Sequence, residues 1–229
     1  DGVKRTIRPT RIHTHVNSSI YKKDFEKWSR WYQEDGSTQI FRLFKGEQSI
    51  RSLDNIKAGR IEAVKSVVNP EPGSWVEWQA TYTIIKAGHG AIFQIIVKEN
   101  SKTGEGGHWP VHLDQTPEGD IYMTRRRPKN SEKKKVLIAK DVIGKNVTVK
   151  VRFDGQTKYE VYSKINGQEK DFKFVGAGTY HQHCGDRFDF RWGIYQGSKP
   201  GSVINEDCIL FVTGVKITNN LNIITTVPK

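Results

Sequence analysis

Apolar and polar residues alternate with a period of two along most of this chain. The clearest case is residues 75–85, where Val76, Trp78, Ala80, Tyr82 and Ile84 oppose Glu77, Gln79, Thr81 and Thr83. Successive side chains of a β-strand point to opposite sides, so this pattern predicts a strand with one buried face. Similar alternation predicts strands over residues 38–44, 60–64, 91–98, 111–114, 121–127, 146–153, 157–165, 188–196 and 209–218.

These strands predict an all-β fold rather than alternating β and α units. Only residues 18–31 have apolar residues at helix-like spacing. The sequence contains no internal repeat and no linker, and its 229 residues suit one core. We therefore predict a single domain over residues 1–229, a sandwich or jelly roll of two antiparallel sheets.

The charge of the chain predicts an anionic partner. The formal net charge is +12 at pH 7, and such a surface attracts nucleic acids and acidic polysaccharides alike. The sequence has no RNP-like or other nucleic-acid-binding motif, so nucleic acid is not expected. Basic residues at 125–127 and 133–135 could contact an acidic chain, although a solvated loop is the alternative interpretation.

Several features lead us to expect a secreted protein. The chain begins at Asp1 and its only methionine is Met123, which we interpret as loss of a presequence or trimming. Asn17 and Asn146 begin glycosylation sequons. No apolar run is long enough to cross a bilayer, so no membrane association is expected.

The two cysteines, Cys184 and Cys208, lie on either side of the strand predicted at residues 188–196. Neighbouring antiparallel segments could bring them together, which suits the expected oxidising compartment. We predict a disulfide between them, with two buried free thiols as the alternative.

The strand at residues 188–196 carries candidate chemistry opposite its apolar face. Arg191 and Tyr195 share one side with Asp189, and the other side is formed by Phe188, Phe190, Trp192 and Ile194. A cation four residues from a phenol suits the binding of a carboxylated sugar and the transfer of a proton on it. A phenol hydrogen-bonded at a sheet edge is the structural alternative for Tyr195.

Two further strands carry polar residues on one face. Arg60 and Glu62 share a face of the strand at 60–64, and Gln94 and Lys98 share a face of the strand at 91–98. If these strands adjoin the one that carries Tyr195 in a concave sheet, their polar side chains line a single groove. A surface ion pair and a core amide are the structural alternatives.

These residues lie in motifs that resemble those of the jelly-roll polysaccharide lyases, the alginate lyases and their relatives. Those enzymes carry an Arg-x-Glu-Leu element, a Gln-Ile-His or Gln-Ile-x element and a Tyr-Phe-Lys-Ala-Gly-Val-Tyr-Asn-Gln strand, in that order. This chain has, in the same order, Arg60-Ile61-Glu62-Ala63, Gln94-Ile95-Ile96 and Arg191-Trp192-Gly193-Ile194-Tyr195-Gln196. The resemblance spans residues 38–218 and implies a β-jelly roll with a concave substrate groove.

One position departs from the pattern of these lyases. Ile96 stands where the alginate lyases place a catalytic His two residues after the Gln. This departure points to the related glucuronan-type lyases, and to a His from another strand. We expect His112, which shares a strand face with Asp114, and next His181 or His183; a structural or surface His is the alternative for each.

The resemblance implies β-elimination on a uronic acid of a glucuronan- or alginate-like polymer. Arg60 and Gln94 would neutralise the carboxylate, and Tyr195 would act as acid and, with a lowered pKa, also as base. The expected catalytic residues are Tyr195, Gln94, Arg60 and His112, and the expected substrate-binding residues are Glu62, Lys98, Arg191 and Arg125.

This chemistry requires no metal or other cofactor, and the sequence has no Cys/His cluster at zinc-site spacing. A structural calcium ion is left open, and we expect a monomer. Glycoside hydrolysis fits less well, because Glu62 has no evident carboxylate partner. The alternative function is a non-catalytic, lectin-like module that holds an acidic glycan in the same groove.

Overall fold

The computed structural model describes residues 11–14, 30–47, 59–97, 109–125, 134–156, 158–166, 172–177, 185–196 and 204–222. These residues form fourteen strands: β1 (Arg11–Thr14), β2 (Tyr32–Asp35), β3 (Thr38–Leu43), β4 (Arg60–Val68), β5 (Ser74–Lys86), β6 (Gly90–Val97), β7 (His112–Gln115), β8 (Ile121–Arg125), β9 (Lys134–Ala139), β10 (Asn146–Phe153), β11 (Lys158–Ile165), β12 (Phe172–Ala177), β13 (Arg187–Tyr195) and β14 (Cys208–Asn222). The described segments contain no helix, and hence none long and apolar enough to span a membrane.

The strands form two seven-stranded sheets with antiparallel pairing throughout. The first sheet has the order β1-β4-β13-β6-β7-β8-β9, and the second has the order β12-β11-β10-β5-β14-β3-β2. Strands distant in sequence are therefore neighbours in both sheets. The predicted all-β sandwich is confirmed.

The core lies between the two sheets and is rich in aromatic side chains. The ring of Trp78 on β5 lies 4.5 Å from that of Phe93 on β6 and 6.0 Å from that of Trp192 on β13. Tyr82 donates its hydroxyl to the carbonyl of Ile92 across the sheets, at 3.1 Å. Full burial of one large apolar side chain contributes about 1.5–3 kcal/mol. The packed apolar faces thus leave the polar residues of β4, β6 and β13 on the outer side of the first sheet.

Gly193, in the middle of β13, meets a steric requirement of this sheet. Its φ is +131°, and a Cβ there would clash with the carbonyl oxygen of Ile61 and lie 3.0 Å from the Cα of Glu62. The pairing of β13 with β6 also shifts register between Trp192 and Tyr195. Only glycine lets β4 and β13 approach this closely.

The strand predictions hold with changed limits, and four strands were not predicted: β1, β2, β9 and β12. The basic segment at residues 125–135, predicted to be a loop or strand end, contributes Arg125 to the end of β8 and Lys134 to the start of β9, and these two residues are paired. Most of the helix expected at residues 18–31 lies outside the described residues.

The predicted disulfide is not formed in this structure, because Cys208 is a free, buried thiol. Its Sγ lies 3.1 Å from the amide nitrogen of Gln196 and 3.6 Å from that of Gln115. Burial raises the pKa of the Cys208 thiol to about 11, which keeps it protonated and unreactive at neutral pH. Cys184 lies outside the described residues.

Candidate active site

A groove of about 440 Å³ lies on the outer face of the first sheet. Its lining includes all four predicted catalytic residues: Arg60, Gln94, His112 and Tyr195. They come from β4, β6, β7 and β13, which adjoin in the sheet in the order β4-β13-β6-β7. The structure therefore brings together side chains that are far apart in the sequence.

Strand register arranges the polar side chains in two rows across the sheet. The Gln94 row consists of directly paired residues on five adjoining strands: Arg191, Gln94, His112, Thr124 and Lys135. The Tyr195 row runs parallel to it: Arg60, Tyr195, Ala91, Asp114 and Tyr122. Each row contributes residues to the lining of the groove, although Arg191 and Ala91 do not line it.

Arg60 and Tyr195 are paired across β4 and β13 and stack on one another. The guanidinium carbon of Arg60 lies 4.1 Å from the centre of the Tyr195 ring, well within cation–π range. This contact fixes both side chains at the same end of the groove. It places a permanent positive charge beside the phenol.

Glu62 lies beneath the groove, and its carboxylate contacts both Gln94 and Arg60. Gln94 donates its amide to Oε1 of Glu62 at 2.5 Å, although the two residues lie on strands separated by β13. Gly193, which lies on the intervening strand β13 and pairs with Glu62, has no side chain, so nothing stands between the amide of Gln94 and the carboxylate of Glu62. The Nε of Arg60 lies 3.1 Å from Oε2 of Glu62, an ion-pair distance without hydrogen-bond geometry.

The predicted contact of Glu62 with substrate does not fit this position. The residue is buried, with 1% of its surface exposed, and it does not line the groove. A buried carboxylate needs hydrogen-bonding or charged partners, and both of those seen here are predicted catalytic residues. The position of Glu62 suits orientation of these two side chains.

His112 and Asp114 form a dyad on β7. Nδ1 of His112 lies 3.0 Å from Oδ1 of Asp114, and Thr124 donates its hydroxyl to Oδ2 of Asp114 at 2.5 Å. Burial alone would raise the pKa of the Asp114 carboxyl, but the hydrogen bonds and charges of His112, Thr124 and Lys135 together hold it below its usual value. The Asp114 carboxylate accepts a hydrogen bond from Nδ1 of His112, so Nδ1 carries a proton. Nε2 is then left to accept a proton.

Arg191 adjoins Gln94 in the same row but does not line the groove. Its Nη2 donates to Oδ2 of Asp189 at 3.1 Å, and Ser66 donates to the other carboxylate oxygen of Asp189 at 2.5 Å. Burial lowers the pKa of Arg191, opposed by the nearby carboxylates of Glu62 and Asp189. The carboxylate of Asp189 thus offsets the charge of Arg191, and the predicted direct contact with substrate does not fit its position.

Three other candidates lie outside the described residues: Lys98, His181 and His183. Arg125 ends β8 next to the groove residue Thr124. Its contact with substrate stays a prediction.

The groove also contains four residues that the sequence analysis did not single out, His89, Trp109, Tyr122 and Thr124, together with Lys135 of the basic run at 133–135. Alternation on β8 could have indicated Tyr122 and Thr124, which share a strand face. Trp109 precedes β7 in an irregular segment, where alternation gives no signal.

Comparison with solved structures identifies the fold. An alginate lyase from Pseudomonas aeruginosa superposes with a TM-score of 0.65 over 92% of this chain and 97% of that chain, at 12% identity. An alginate lyase from Klebsiella pneumoniae gives 0.64 over 92% and 95%, also at 12% identity. The chain has the jelly-roll fold of these alginate lyases.

A marine alginate lyase of polysaccharide lyase family 7, from Zobellia galactanivorans, shares this jelly-roll fold at 14% identity, with a TM-score of 0.60 over 95% of this chain and 96% of that chain. No protein-family model matches the sequence, and no curated protein matches it. The predicted jelly roll is confirmed. Among the described residues, no group of three His, Cys, Asp or Glu side chains could hold a metal ion.

Proposed function

We propose that this protein is a polysaccharide lyase that cleaves a uronic-acid-containing polysaccharide by β-elimination. The observation that carries this proposal is the convergence of Arg60, Gln94, His112 and Tyr195 on one groove. The jelly roll shared with alginate lyases supports it. A family 7 alginate lyase of this fold has been solved with substrate in a variant that replaces one His by Asn and one Tyr by Phe. The groove of this chain offers both residue types.

The first task of such a site is to make the C5 proton of the uronic acid removable. The adjacent carboxylate opposes loss of this proton, because its charge would be added to that of the developing anion. Arg60 supplies a fixed positive charge, and the second amide N–H of Gln94 is free to donate, since only one is used by Glu62. Donors held in place before the reaction stabilise the developing charge most effectively.

The second task is the transfer of two protons. His112, through Nε2, removes the proton from C5, a double bond forms between C4 and C5, and the bond from C4 to the glycosidic oxygen breaks. Tyr195 donates its proton to that leaving oxygen. The dyad with Asp114 suits His112 to the role of base, because the carboxylate stabilises the imidazolium that forms.

The groove is poorly suited to glycoside hydrolysis. That reaction ordinarily uses two carboxyl groups on opposite sides of the scissile bond. Among the described residues that line the groove, Asp114 is the only acidic one, and it is bonded to His112 and Thr124. An anion-stabilising site with cations, an amide and a phenol favours elimination.

The substrate that we propose is a glucuronan-like polymer, with alginate as the second candidate. Ile96 replaces the His that alginate lyases of this type carry, and His112 offers an imidazole from the neighbouring strand. The net charge of +12 suits capture of such a polyanion. We further propose that the protein is secreted and acts as a monomer.

One assay tests this function. The protein is incubated with glucuronan, alginate, polygalacturonate and a glycosaminoglycan, and the ultraviolet absorbance of the unsaturated product is followed. We expect the signal with at least one uronic acid polymer and none with the same polymer after reduction of its carboxylates to alcohols. New reducing ends without unsaturation would indicate a hydrolase, and binding without any cleavage would indicate the lectin-like alternative.

A further inference from the structure

Lys135 lies at the end of the groove farthest from Arg60. It is exposed, and no carboxylate among the described residues forms an ion pair with it. Its charge contributes to the low pKa of Asp114. Through Thr124 and His112 it belongs to the Gln94 row. The groove thus has a second cation in line with the residue proposed to hold the reacting carboxylate.

Tyr122 provides a ring beside this cation. The Nζ of Lys135 lies 5.8 Å from the ring centre of Tyr122, and both side chains line the groove. The hydroxyl of Tyr122 lies 3.4 Å from Oδ2 of Asp120, which restrains the ring. A flat apolar face next to an ammonium suits a sugar ring that bears a carboxylate.

Strand spacing sets the distance between the two cationic ends. Neighbouring strands lie about 4.8 Å apart, so three steps from β6 to β9 separate Gln94 and Lys135 by about 14 Å along the sheet. One sugar residue of an extended polysaccharide advances the chain by nearly the same distance as one strand spacing. A carboxylate at Lys135 therefore belongs to a sugar three residues from the one at Gln94.

We propose that Lys135 and Tyr122 form a distal subsite for the carboxylate of a uronic acid three residues from the reacting sugar. This inference rests on the proposed function, since that function places the reacting carboxylate at Gln94. It also selects a class of substrate. A polymer of uronic acids throughout has a carboxylate at that position, whereas a polymer alternating uronic acid with hexosamine has its carboxylates two and four residues away. The site therefore prefers a homopolymeric uronan.

The test measures binding and cleavage separately. Affinities for glucuronan oligosaccharides of two to six residues are measured by calorimetry in the Tyr195→Phe background, so that the ligand is not consumed. Lys135→Gln is compared with Lys140→Gln, which removes the same charge from an exposed position outside the groove lining. Hyaluronan oligosaccharides of equal length serve as the alternating polymer.

We expect a step of about 5-fold in affinity at the length where the chain reaches Lys135, as for one exposed ion pair. The step should be absent in Lys135→Gln, absent for hyaluronan, present in Lys140→Gln, and weakened by salt. Identical length profiles with and without Lys135, or no binding of any glucuronan chain, would overturn the subsite. A Lys135-dependent step without unsaturated product from the unmodified protein would refute the lyase function and leave the subsite standing. Unsaturated product without a Lys135-dependent step in affinity would support the lyase function and refute the subsite.

Discussion

Gln94 and His112 are direct partners across strands β6 and β7. This pairing brings an imidazole one strand spacing from the amide that we propose to hold the carboxylate. In the alginate lyase pattern, the His follows the Gln by two residues on the same strand; here that position is Ile96, which pairs with the buried Asp189. The imidazole is thus on the neighbouring strand in this chain and still on the groove face.

The first prediction concerns this imidazole. His112→Gln keeps a polar side chain beside Asp114 but removes the imidazole that would accept the C5 proton, so kcat on the polymer should fall by about 10²-fold or more. His89→Gln is the matched control, because it removes another imidazole from the groove lining. Steady-state kinetics on both variants check the assignment. An equal loss in both variants, or full activity in His112→Gln, contradicts it.

A second prediction follows from the lowered pKa of Asp114. A carboxyl whose pKa is lower in the folded than in the unfolded chain stabilises the fold at pH values above its pKa in the unfolded chain. This contribution is lost as the pH falls through its pKa in the folded chain. Asp114→Asn should therefore cost about 1.5 kcal/mol at pH 7, the lower end of the range for a hydrogen bond to a charged group.

The difference between Asp114→Asn and the unmodified protein should shrink as the pH falls below the ordinary carboxyl value of 3.8. Urea unfolding at pH 7 and at successively lower pH measures it. An equal difference across that range would mean that the ionised carboxyl contributes nothing specific.

The site could be predicted from the sequence where alternation alone decides the outcome. Alternation places Arg60, Gln94 and Tyr195 on the polar faces of their strands. The structure confirms that all three side chains line one groove. Which strands adjoin could not be derived in the same way. Ser66 and Asp189 are 123 residues apart yet hydrogen-bonded, because packing between the sheets, rather than local sequence, sets strand order.

The errors have local causes. Cysteine spacing suggested a disulfide, but it does not show that Cys208 begins a strand with its side chain in the core. Glu62 seemed to face substrate because it shares a strand face with Arg60, and alternation cannot distinguish the floor of a groove from its wall. The sequence places Lys135 in a loop or at a strand end, rather than within β9, because the apolar run at residues 136–139 hides the alternation of that strand.

The third prediction tests the close approach of β4 and β13. Gly193→Ala adds a Cβ against the carbonyl oxygen of Ile61 at a φ of +131°, so it should destabilise the fold by about 3 kcal/mol or more. Gly214→Ala is the control, because that residue has a φ of +67° with no atom within 4 Å and should cost about 1–2 kcal/mol. Thermal unfolding compares the two variants. Equal losses would mean that backbone conformation, rather than the contact with Ile61, is what requires glycine.

The fourth prediction concerns carboxylate binding. Gln94→Ala removes a donor that acts in the bound state and more strongly in the transition state, so KM should rise and kcat should fall. The combined loss in kcat/KM should be roughly 10-fold or more, as expected for one hydrogen bond to a charged group. Gln79→Ala, the same change on the second sheet, is the control. A change in KM alone would limit Gln94 to ground-state binding.

The last prediction concerns Tyr195. Tyr195→Phe removes only the hydroxyl and keeps the ring under Arg60, so the packing seen at 4.1 Å should persist and stability should change little. Without the hydroxyl, the leaving oxygen has no donor, and the rate should fall by about 10²-fold or more while affinity for the polymer is retained.

Tyr162→Phe controls for loss of a phenol elsewhere, because Tyr162 lies on β11 of the second sheet. Initial rates of unsaturated product, together with calorimetric binding of the polymer, separate chemistry from affinity. Unchanged turnover in Tyr195→Phe would remove the phenol from the mechanism. A parallel loss of binding and rate would make Tyr195 a contact that only holds the glycan, since proton transfer affects the transition state and not the bound ground state.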